Sequence, residues 1–387
     1  MNAASTTYPV RLGFMPEAQA IPDPEHPGLR RAGPRAAAPY GDDRVEFHLC
    51  DASDVARSTS GDLGLRSTGF DLVDISALDA VQSACRRVCS DGSIDAAAAA
   101  AIRGGLDGAL LRTSCGQSVR VLYISDEGFI MRTAGPNGRS VVGPRSVGMN
   151  GHGGATSVHI DQDVYGTPLV QLMEGRAPSL FVHDSPDGSN HDGAMFLVNM
   201  WIPLRQVVQP LALADGRTID RRRHQLRYGL STGSFLSRDE DQEINDIWTL
   251  LFDGGQEWYL HSEMDHRSAW MFNTLSVAHG ACTLPGEDVA EECFLALEAA
   301  EAAVAAGDPT LLERAGAVVG DLDAPDSAPP ALRAAIRDMI EVLQLAADDP
   351  VGTCRPGADA WTEQAALARR QVVRMSLELR LVVAPEA

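Results

Sequence analysis

Lysine is absent from this sequence, and all 32 basic residues of the 387-residue chain are arginine. Enzymes that form a Schiff base through a side-chain amine, pyridoxal-phosphate enzymes and P-loop nucleotidases all depend on a lysine. The sequence therefore excludes these three classes. Any acidic ligand of this protein must be bound by arginine.

Positive charge is scarce as well. The formal net charge is −21 and the isoelectric point is near 4.8. So acidic a surface repels phosphate backbones and anionic lipid headgroups. We therefore expect no nucleic-acid partner and no membrane partner, and we expect a small-molecule substrate instead.

Long apolar runs and paired cysteine motifs are also missing. No uninterrupted apolar stretch approaches the roughly 20 residues of a membrane-spanning helix. The segment Met1–Pro9 lacks the basic and then apolar order of a secretory signal, so we predict a cytoplasmic protein. The seven cysteines are odd in number, and none has C-x-x-C spacing. This pattern predicts reduced thiols rather than disulfides or a zinc site.

Short apolar segments separated by glycine- and proline-rich turns are the main feature of the middle of the chain. Such a pattern is typical of a β-barrel or a double-sheet jelly roll. The predicted strands are Val119–Ile124, Gly128–Thr133, the His159 segment, Phe181–His183, Ala194–Leu204, Leu211–Ala214, Gln225–Gly229, Trp258–His261 and Ser268–Leu275. The fold class is therefore predicted to be mainly β with flanking helices.

The composition divides the chain into three predicted segments. Residues 1–114 form an N-terminal arm, irregular up to about residue 45, and helices that pack on the core. Residues 115–285 form the β core, and residues 286–387 form a C-terminal helical region. Helices are predicted at Asp71–Ser90, Ile94–Leu111, Glu287–Ala306, Pro330–Ala347 and Ala358 to about Leu381. The second contains an alanine run, the third begins with acidic residues, and the fourth has apolar residues at helical spacing. The alternating segment Met375–Leu381 also fits a strand.

The segment Val158–Tyr165 carries the strongest chemical pattern. His159 and Asp161 are separated by one residue, and side chains at positions i and i+2 of a strand point to the same face. An imidazole and a carboxylate are thus predicted to point at one site. A third ligand from another strand would complete a 2-His-1-carboxylate facial triad, which holds non-haem Fe(II) and leaves positions open for substrate and O2.

His279 is the best candidate for the third ligand. It follows the apolar strand that begins near Phe272, and a glycine comes directly after it. A second His-x-acid pair, His261 and Glu263, has the same spacing as His159 and Asp161. We interpret His261 as an ordinary surface residue or as one that supports a neighbour.

Three segments together resemble the iron/2-oxoglutarate-dependent dioxygenases, and most of all their gibberellin-desaturase-like subgroup of secondary metabolism. The segments are Val158–Asp161, the strand Asn199–Leu204 with its N-x-W-x-P-L pattern, and Phe272–His279. The resemblance covers roughly residues 120–290. It implies a double-stranded β-helix that binds Fe(II), 2-oxoglutarate as co-substrate and O2. It also implies that His159, Asp161 and His279 are both the metal ligands and the catalytic residues.

One feature of this family is missing. The family usually places an arginine about ten residues after the distal histidine, where it pairs with the far carboxylate of 2-oxoglutarate. The stretch Gly280–Ala306 contains no arginine. Arg205, which ends the Trp201 strand, and Arg267, which enters the His279 strand, are the substitutes. Asn199 is a further candidate for a co-substrate contact, because a lone amide in an apolar strand needs a partner.

The resemblance implies an oxygenase that hydroxylates, desaturates or cyclises a small molecule in natural-product biosynthesis. Two alternatives remain open. One is a cupin-like metalloenzyme that does not use 2-oxoglutarate, and the other is a non-catalytic β-barrel binding protein in which the His-x-Asp pair is structural. The sequence leaves the substrate and the oligomeric state open, a homodimer included.

Overall fold

The structure is a computed structural model. It describes residues 7–33, 45–57, 62–125, 129–141, 148–163, 177–186, 188–231, 244–318, 322–355 and 359–386.

Strands outnumber helices in the described chain up to residue 285, and one long strand comes near its end. The strands are β1 (Thr7–Phe14), β2 (Ala20–Pro22), β3 (Arg30–Ala32), β4 (Glu46–Asp54), β5 (Phe70–Asp74), β6 (Leu110–Thr113), β7 (Ser118–Ile124), β8 (Ile130–Ala134), β9 (His159–Ile160), β10 (His183–Ser185), β11 (Gly188–Asn190), β12 (Phe196–Arg205), β13 (Leu211–Ala214), β14 (Gln225–Ser231), β15 (Ile244–Leu250), β16 (Trp258–Leu260), β17 (Ser268–Asn273), β18 (His279–Ala281) and β19 (Arg374–Pro385).

Among the described residues, two helices lie between β5 and β6, two short helices lie among the later strands, and the remaining helices lie between β18 and β19. The helices are α1 (Asp79–Asp91), α2 (Ala96–Leu106), α3 (Ala177–Leu180), α4 (Arg221–His224), α5 (Glu287–Ala306), α6 (Pro309–Ala317), α7 (Pro330–Asp348), α8 (Pro350–Thr353) and α9 (Asp359–Gln371). None of these helices is both long enough and apolar enough to cross a bilayer, as far as the described residues go.

Two large sheets form the core. The first has ten strands in the order β1-β4-β16-β13-β18-β9-β15-β14-β3-β2. It curls, because β1 also bonds to the segments that carry β9 and β18. Arg11 exchanges two backbone hydrogen bonds of 3.0 Å with Thr283, and the amide of Val158 donates to Gly13 over 2.8 Å.

The second sheet closes on itself. Its order is β12-β17-β5-β6-β7-β19-β8, and β12 also pairs with β19, so six antiparallel strands form a closed barrel with β8 added at one side. Apolar side chains of these strands pack together with those of α1 and α2. The curled sheet packs mainly with helices α5, α6, α7 and α9.

The predicted fold class, mainly β with flanking helices, is confirmed. The division at residues 114/115 and 285/286 stays a prediction, and both sheets also take strands from outside the middle segment. The segment up to about residue 45 was expected to be irregular but contains β1, where Tyr8, Val10 and Leu12 alternate into the core. The predicted helix from Ala358 ends at Gln371, and the alternating residues that follow form β19.

Candidate metal centre

The two predicted histidines face each other on neighbouring strands. His159 in β9 is the direct antiparallel partner of His279 in β18. Side chains of such a cross-strand pair lie on the same face of the sheet. Their ring centroids are accordingly 4.4 Å apart.

Asp161 lies between the two imidazoles. Its Oδ1 is 3.5 Å from Nε2 of His159 and 3.6 Å from Nε2 of His279. The three ligand atoms all lie within 4.8 Å of one another, and no other such group of three His, Cys, Asp or Glu side chains occurs among the described residues. The structure thus brings together the three residues that the sequence singled out.

Backbone carbonyls fix the orientation of both rings. Nδ1 of His159 lies 2.9 Å from the carbonyl oxygen of Ser157, and Nδ1 of His279 lies 3.1 Å from that of Val277. When Nδ1 donates its proton to a carbonyl, the other nitrogen of a neutral imidazole keeps a free lone pair. Both Nε2 atoms are therefore available as ligands, and this arrangement is the usual one for metal-binding histidines.

The second oxygen of Asp161 is held from the barrel side. Nδ2 of Asn199 donates to Oδ2 over 3.1 Å, and Nη2 of Arg380 lies 3.9 Å from the same oxygen. Burial raises the pKa of Asp161, but the neighbouring imidazoles and the Arg380 charge outweigh burial and hold this pKa well below its usual value. Asp161 is therefore ionised, with one oxygen directed at the two histidines.

The metal centre lies between the two sheets. His159 and His279 belong to the curled sheet, whereas Asn199 in β12 and Arg380 in β19 belong to the barrel and are direct partners in its register. The ring of Phe272 in β17 packs on His279, with centroids 4.4 Å apart.

A small cavity opens beside the two histidines and contains a buried arginine. Arg374 lines the cavity and is 1% exposed. Its Nη1 donates to the carbonyl of Gln209 over 3.1 Å, and its guanidinium carbon is 6.0 Å from the centre of the Trp201 ring. Its Nε and Nη2 have no hydrogen-bond partner among the described residues. Burial lowers the pKa of this guanidinium to about 10.

A buried guanidinium with two unused donors destabilises the fold unless a ligand accepts hydrogen bonds from them, because each unsatisfied buried polar group carries a desolvation penalty of about 1–3 kcal/mol. The wall of the same cavity also carries the ion pair of Arg132 and Glu378, at 2.7 Å. The cavity itself is small, about 10 Å³, but the unused donors of Arg374 beside the histidines would suit a compact anionic group such as one carboxylate.

Asn199 lies at the predicted site, where its Nδ2 holds Asp161. Its Oδ1 has no hydrogen-bond partner among the described residues, so a contact with the co-substrate stays a prediction. The two predicted arginines lie elsewhere. Arg205 donates to the backbone carbonyl of Arg370 over 2.9 Å and lines a different pocket. Arg267 is exposed and pairs with Asp265 at 2.6 Å. Their role in co-substrate binding stays a prediction, and neither lines the cavity that holds both histidines.

Sequence reasoning missed Arg374 and Arg380. The signal was the alternation of residues 375–381, which places Arg374 and Arg380 on one face of a strand. In a helix, which is the structure predicted first for this segment, Arg374 and Arg380 would lie on different faces.

The chain is similar to few known proteins. No family model matches the chain, and no curated protein does. Among solved structures, one neighbour is an iron and alpha-ketoglutarate-dependent endoperoxidase, NvfI, with a TM-score of 0.45 and 14% identity over 99% of this chain and 100% of that chain. A second structure of NvfI, in a different conformation, gives a TM-score of 0.43 and 15% identity over 99% and 100% of the two chains. Likeness at this level leaves the activity to be argued from the site itself.

Proposed function

We propose that this protein is a non-haem Fe(II) oxygenase that uses 2-oxoglutarate and O2 to oxidise a small molecule. One observation carries the proposal. Two imidazole Nε2 atoms and one carboxylate oxygen converge, and both imidazoles are fixed by backbone carbonyls through Nδ1. A set of two nitrogens and one oxygen from two neighbouring strands is the facial triad of Fe(II) oxygenases.

The residues present fit Fe(II). The ligand set contains no thiolate, and its carboxylate is ionised, so it suits a divalent metal that accepts nitrogen and oxygen ligands. Only one side of this metal would be covered by His159, Asp161 and His279. When bound there, Fe(II) supplies the chemistry by which O2 oxidises 2-oxoglutarate to succinate and CO2 and oxidises the substrate.

Arg374 is the residue that we expect to bind the keto acid. We assign Arg374 to the far carboxylate of 2-oxoglutarate, because its Nε and Nη2 have no hydrogen-bond partner among the described residues and it lines the cavity shared by both histidines. These two neighbouring donors match the two oxygens of a carboxylate. We propose Arg374 for this role in place of Arg205 and Arg267. It would also take the part of the arginine that the family usually has shortly after the distal histidine and that this chain lacks after His279.

Asn199 and Arg380 orient the metal ligand Asp161. Both hold its Oδ2, which leaves Oδ1 for the metal. Phe272 packs on the His279 ring and excludes water from that side of the centre. The reaction outcome, whether hydroxylation, desaturation or cyclisation, and a place in natural-product biosynthesis rest on the sequence resemblance alone.

The test is an anaerobic titration of the metal-free protein with Fe(II) and then with 2-oxoglutarate. We expect one Fe(II) per chain and, on addition of the keto acid, a weak visible charge-transfer band. The band should be absent without Fe(II) and absent in the His279→Ala variant. If Zn(II) or Mn(II) supported turnover and 2-oxoglutarate were never decarboxylated, the cupin-like alternative would replace this proposal. If no metal bound at stoichiometric amounts, the binding-protein alternative would.

A further inference from the structure

A second pocket lies on the other side of strand β19. Val373 and Met375 line it, whereas Arg374 between them lines the cavity beside the two histidines. Because successive side chains of a strand point to opposite faces, the two cavities are separated by β19. The second pocket has a volume of about 520 Å³, which is within the size range of small-molecule sites.

Positive charge is concentrated in this pocket. Its lining contains four arginines, Arg139, Arg205, Arg369 and Arg370, but only two acidic residues, Asp91 and Glu298. The whole chain has a net charge of −21. A basic pocket on so acidic a protein favours an anion there over the rest of the surface.

Two of the four arginines are already paired. Arg369 bonds to Glu298 at 2.7 Å and to Glu301 at 2.8 Å, and Arg139 lies 3.8 Å from Glu298 and from Glu291. These pairs neutralise one half of the pocket.

The other two arginines have only backbone partners among the described residues. Arg205 donates to the carbonyl of Arg370 over 2.9 Å, and Arg370 donates to the carbonyl of Ala366 over 3.1 Å. Burial and the neighbouring Arg370 charge both lower the pKa of Arg205. The Arg370 charge is thus near enough to disfavour the Arg205 charge, and an anion bound to both would offset this repulsion.

The floor of the pocket is apolar. Phe294 and Met375 are each 3% exposed, and both line the pocket together with Val141 and Val373. The Arg369 guanidinium lies over the Phe294 ring at 5.2 Å. A ligand that fits these surfaces has one charged end and an apolar body.

We propose that this pocket binds a small organic carboxylate, with its head group at Arg205 and Arg370 and its apolar body against Phe294 and Met375. The site is separate from the metal centre, and its existence does not depend on the proposed oxygenase activity.

The test is isothermal titration of the full-length, metal-free protein with octanoate, which has both a carboxylate and an apolar chain. Octan-1-ol and sulfate serve as ligands that have only the chain or only the charge. We expect saturable octanoate binding and much weaker binding of the other two. The double variant Arg205→Met, Arg370→Met should lose at least about tenfold in octanoate affinity, as expected from the loss of charge-assisted hydrogen bonds.

Two further variants keep the test decisive. Arg370→Glu changes only an exposed side chain, so it should fold and should weaken octanoate binding even if the double variant does not fold. The exposed Arg222→Met should leave the affinity unchanged. The proposal would be overturned if octanoate did not bind the wild type, if Arg370→Glu bound it equally well, or if Arg222→Met weakened binding as much as Arg370→Glu.

Discussion

His159 and His279 are 120 positions apart in the chain but are direct cross-strand partners, with ring centroids 4.4 Å apart. The pairing of β9 with β18 therefore builds the metal centre, and Asp161 completes it from the residue just after β9. Each part of this centre leads to an experiment with a defined outcome.

Removal of one ligand should strongly weaken metal binding. We expect His279→Ala to lower Fe(II) affinity by at least about 100-fold, because loss of a ligand exceeds the effect of losing an outer partner. Iron content after anaerobic reconstitution measures this. His261→Ala is the matched control, since His261 has the same spacing to an acidic residue but does not lie in the triad. Equal loss of iron in both variants would argue against the triad.

Asn199 should act through Asp161. Replacement of Asn199 by Leu removes the hydrogen bond to Oδ2, and we expect Fe(II) affinity to fall about 10- to 100-fold, as for other outer partners of metal ligands. Anaerobic Fe(II) titration measures this effect, and thermal unfolding is recorded in parallel. Asn150→Ala, which removes hydrogen bonds to Ile94 and to none of the three ligands, should change stability without changing Fe(II) affinity. If Asn199→Leu bound Fe(II) normally, Asn199 would have no positioning role.

Arg374 should determine keto-acid affinity without affecting the metal. In Arg374→Met, we expect 2-oxoglutarate to bind about 100-fold more weakly, because two charge-assisted hydrogen bonds are lost. Fe(II) affinity in the absence of 2-oxoglutarate should stay the same. The charge-transfer band gives the keto-acid affinity directly. Arg267→Met is the control, and a weaker affinity in that variant instead would restore the prediction made from sequence.

The sequence predicted the local geometry of the site well and its distant partners poorly. The one-residue spacing of His159 and Asp161 requires only a strand, and a helix such as Pro330–Asp348 follows from its apolar spacing. Arg374 and Arg380 could not be placed in the same way. Their position depends on the pairing of β12 with β19, which joins residues about 180 positions apart.

The same limit explains the first segment of the chain. Proline and glycine in residues 1–45 suggested an irregular arm, yet Tyr8, Val10 and Leu12 alternate into the core and β1 pairs along its whole length with β4. The alternation was visible in the sequence. The pairing with β4 that makes β1 stable was not, because β-sheet stability comes from cross-strand neighbours that are distant in the chain.

Arg227 should be essential for stability. It is 3% exposed and forms ion pairs with Asp163 at 2.7 Å, Asp23 at 3.1 Å and Asp246 at 3.4 Å. Arg227→Met leaves buried carboxylates without their cation, which typically costs about 3–5 kcal/mol. Urea unfolding should show this loss, whereas Arg222→Met at the surface should change stability by less than about 0.5 kcal/mol. A loss of that small size in Arg227→Met would show that the cluster is not stabilising.

Asp23, in the same cluster, should contribute to the pH dependence of stability. Burial raises the pKa of Asp23, but the backbone amides of Glu25 and His26 and the Arg227 charge lower this pKa by a larger amount. The pKa of Asp23 is therefore below that of an ordinary aspartate. A carboxyl with a lowered folded-state pKa stabilises the protein above its unfolded pKa of about 3.9, and this stability is lost as the pH falls through the folded-state pKa. In Asp23→Asn this contribution is absent at every pH. We therefore expect the stability difference between wild type and Asp23→Asn, measured by urea unfolding, to be largest near pH 7 and to shrink below about pH 4. A difference that stayed constant from pH 7 to pH 3 would show that Asp23 acts through packing rather than through its charge.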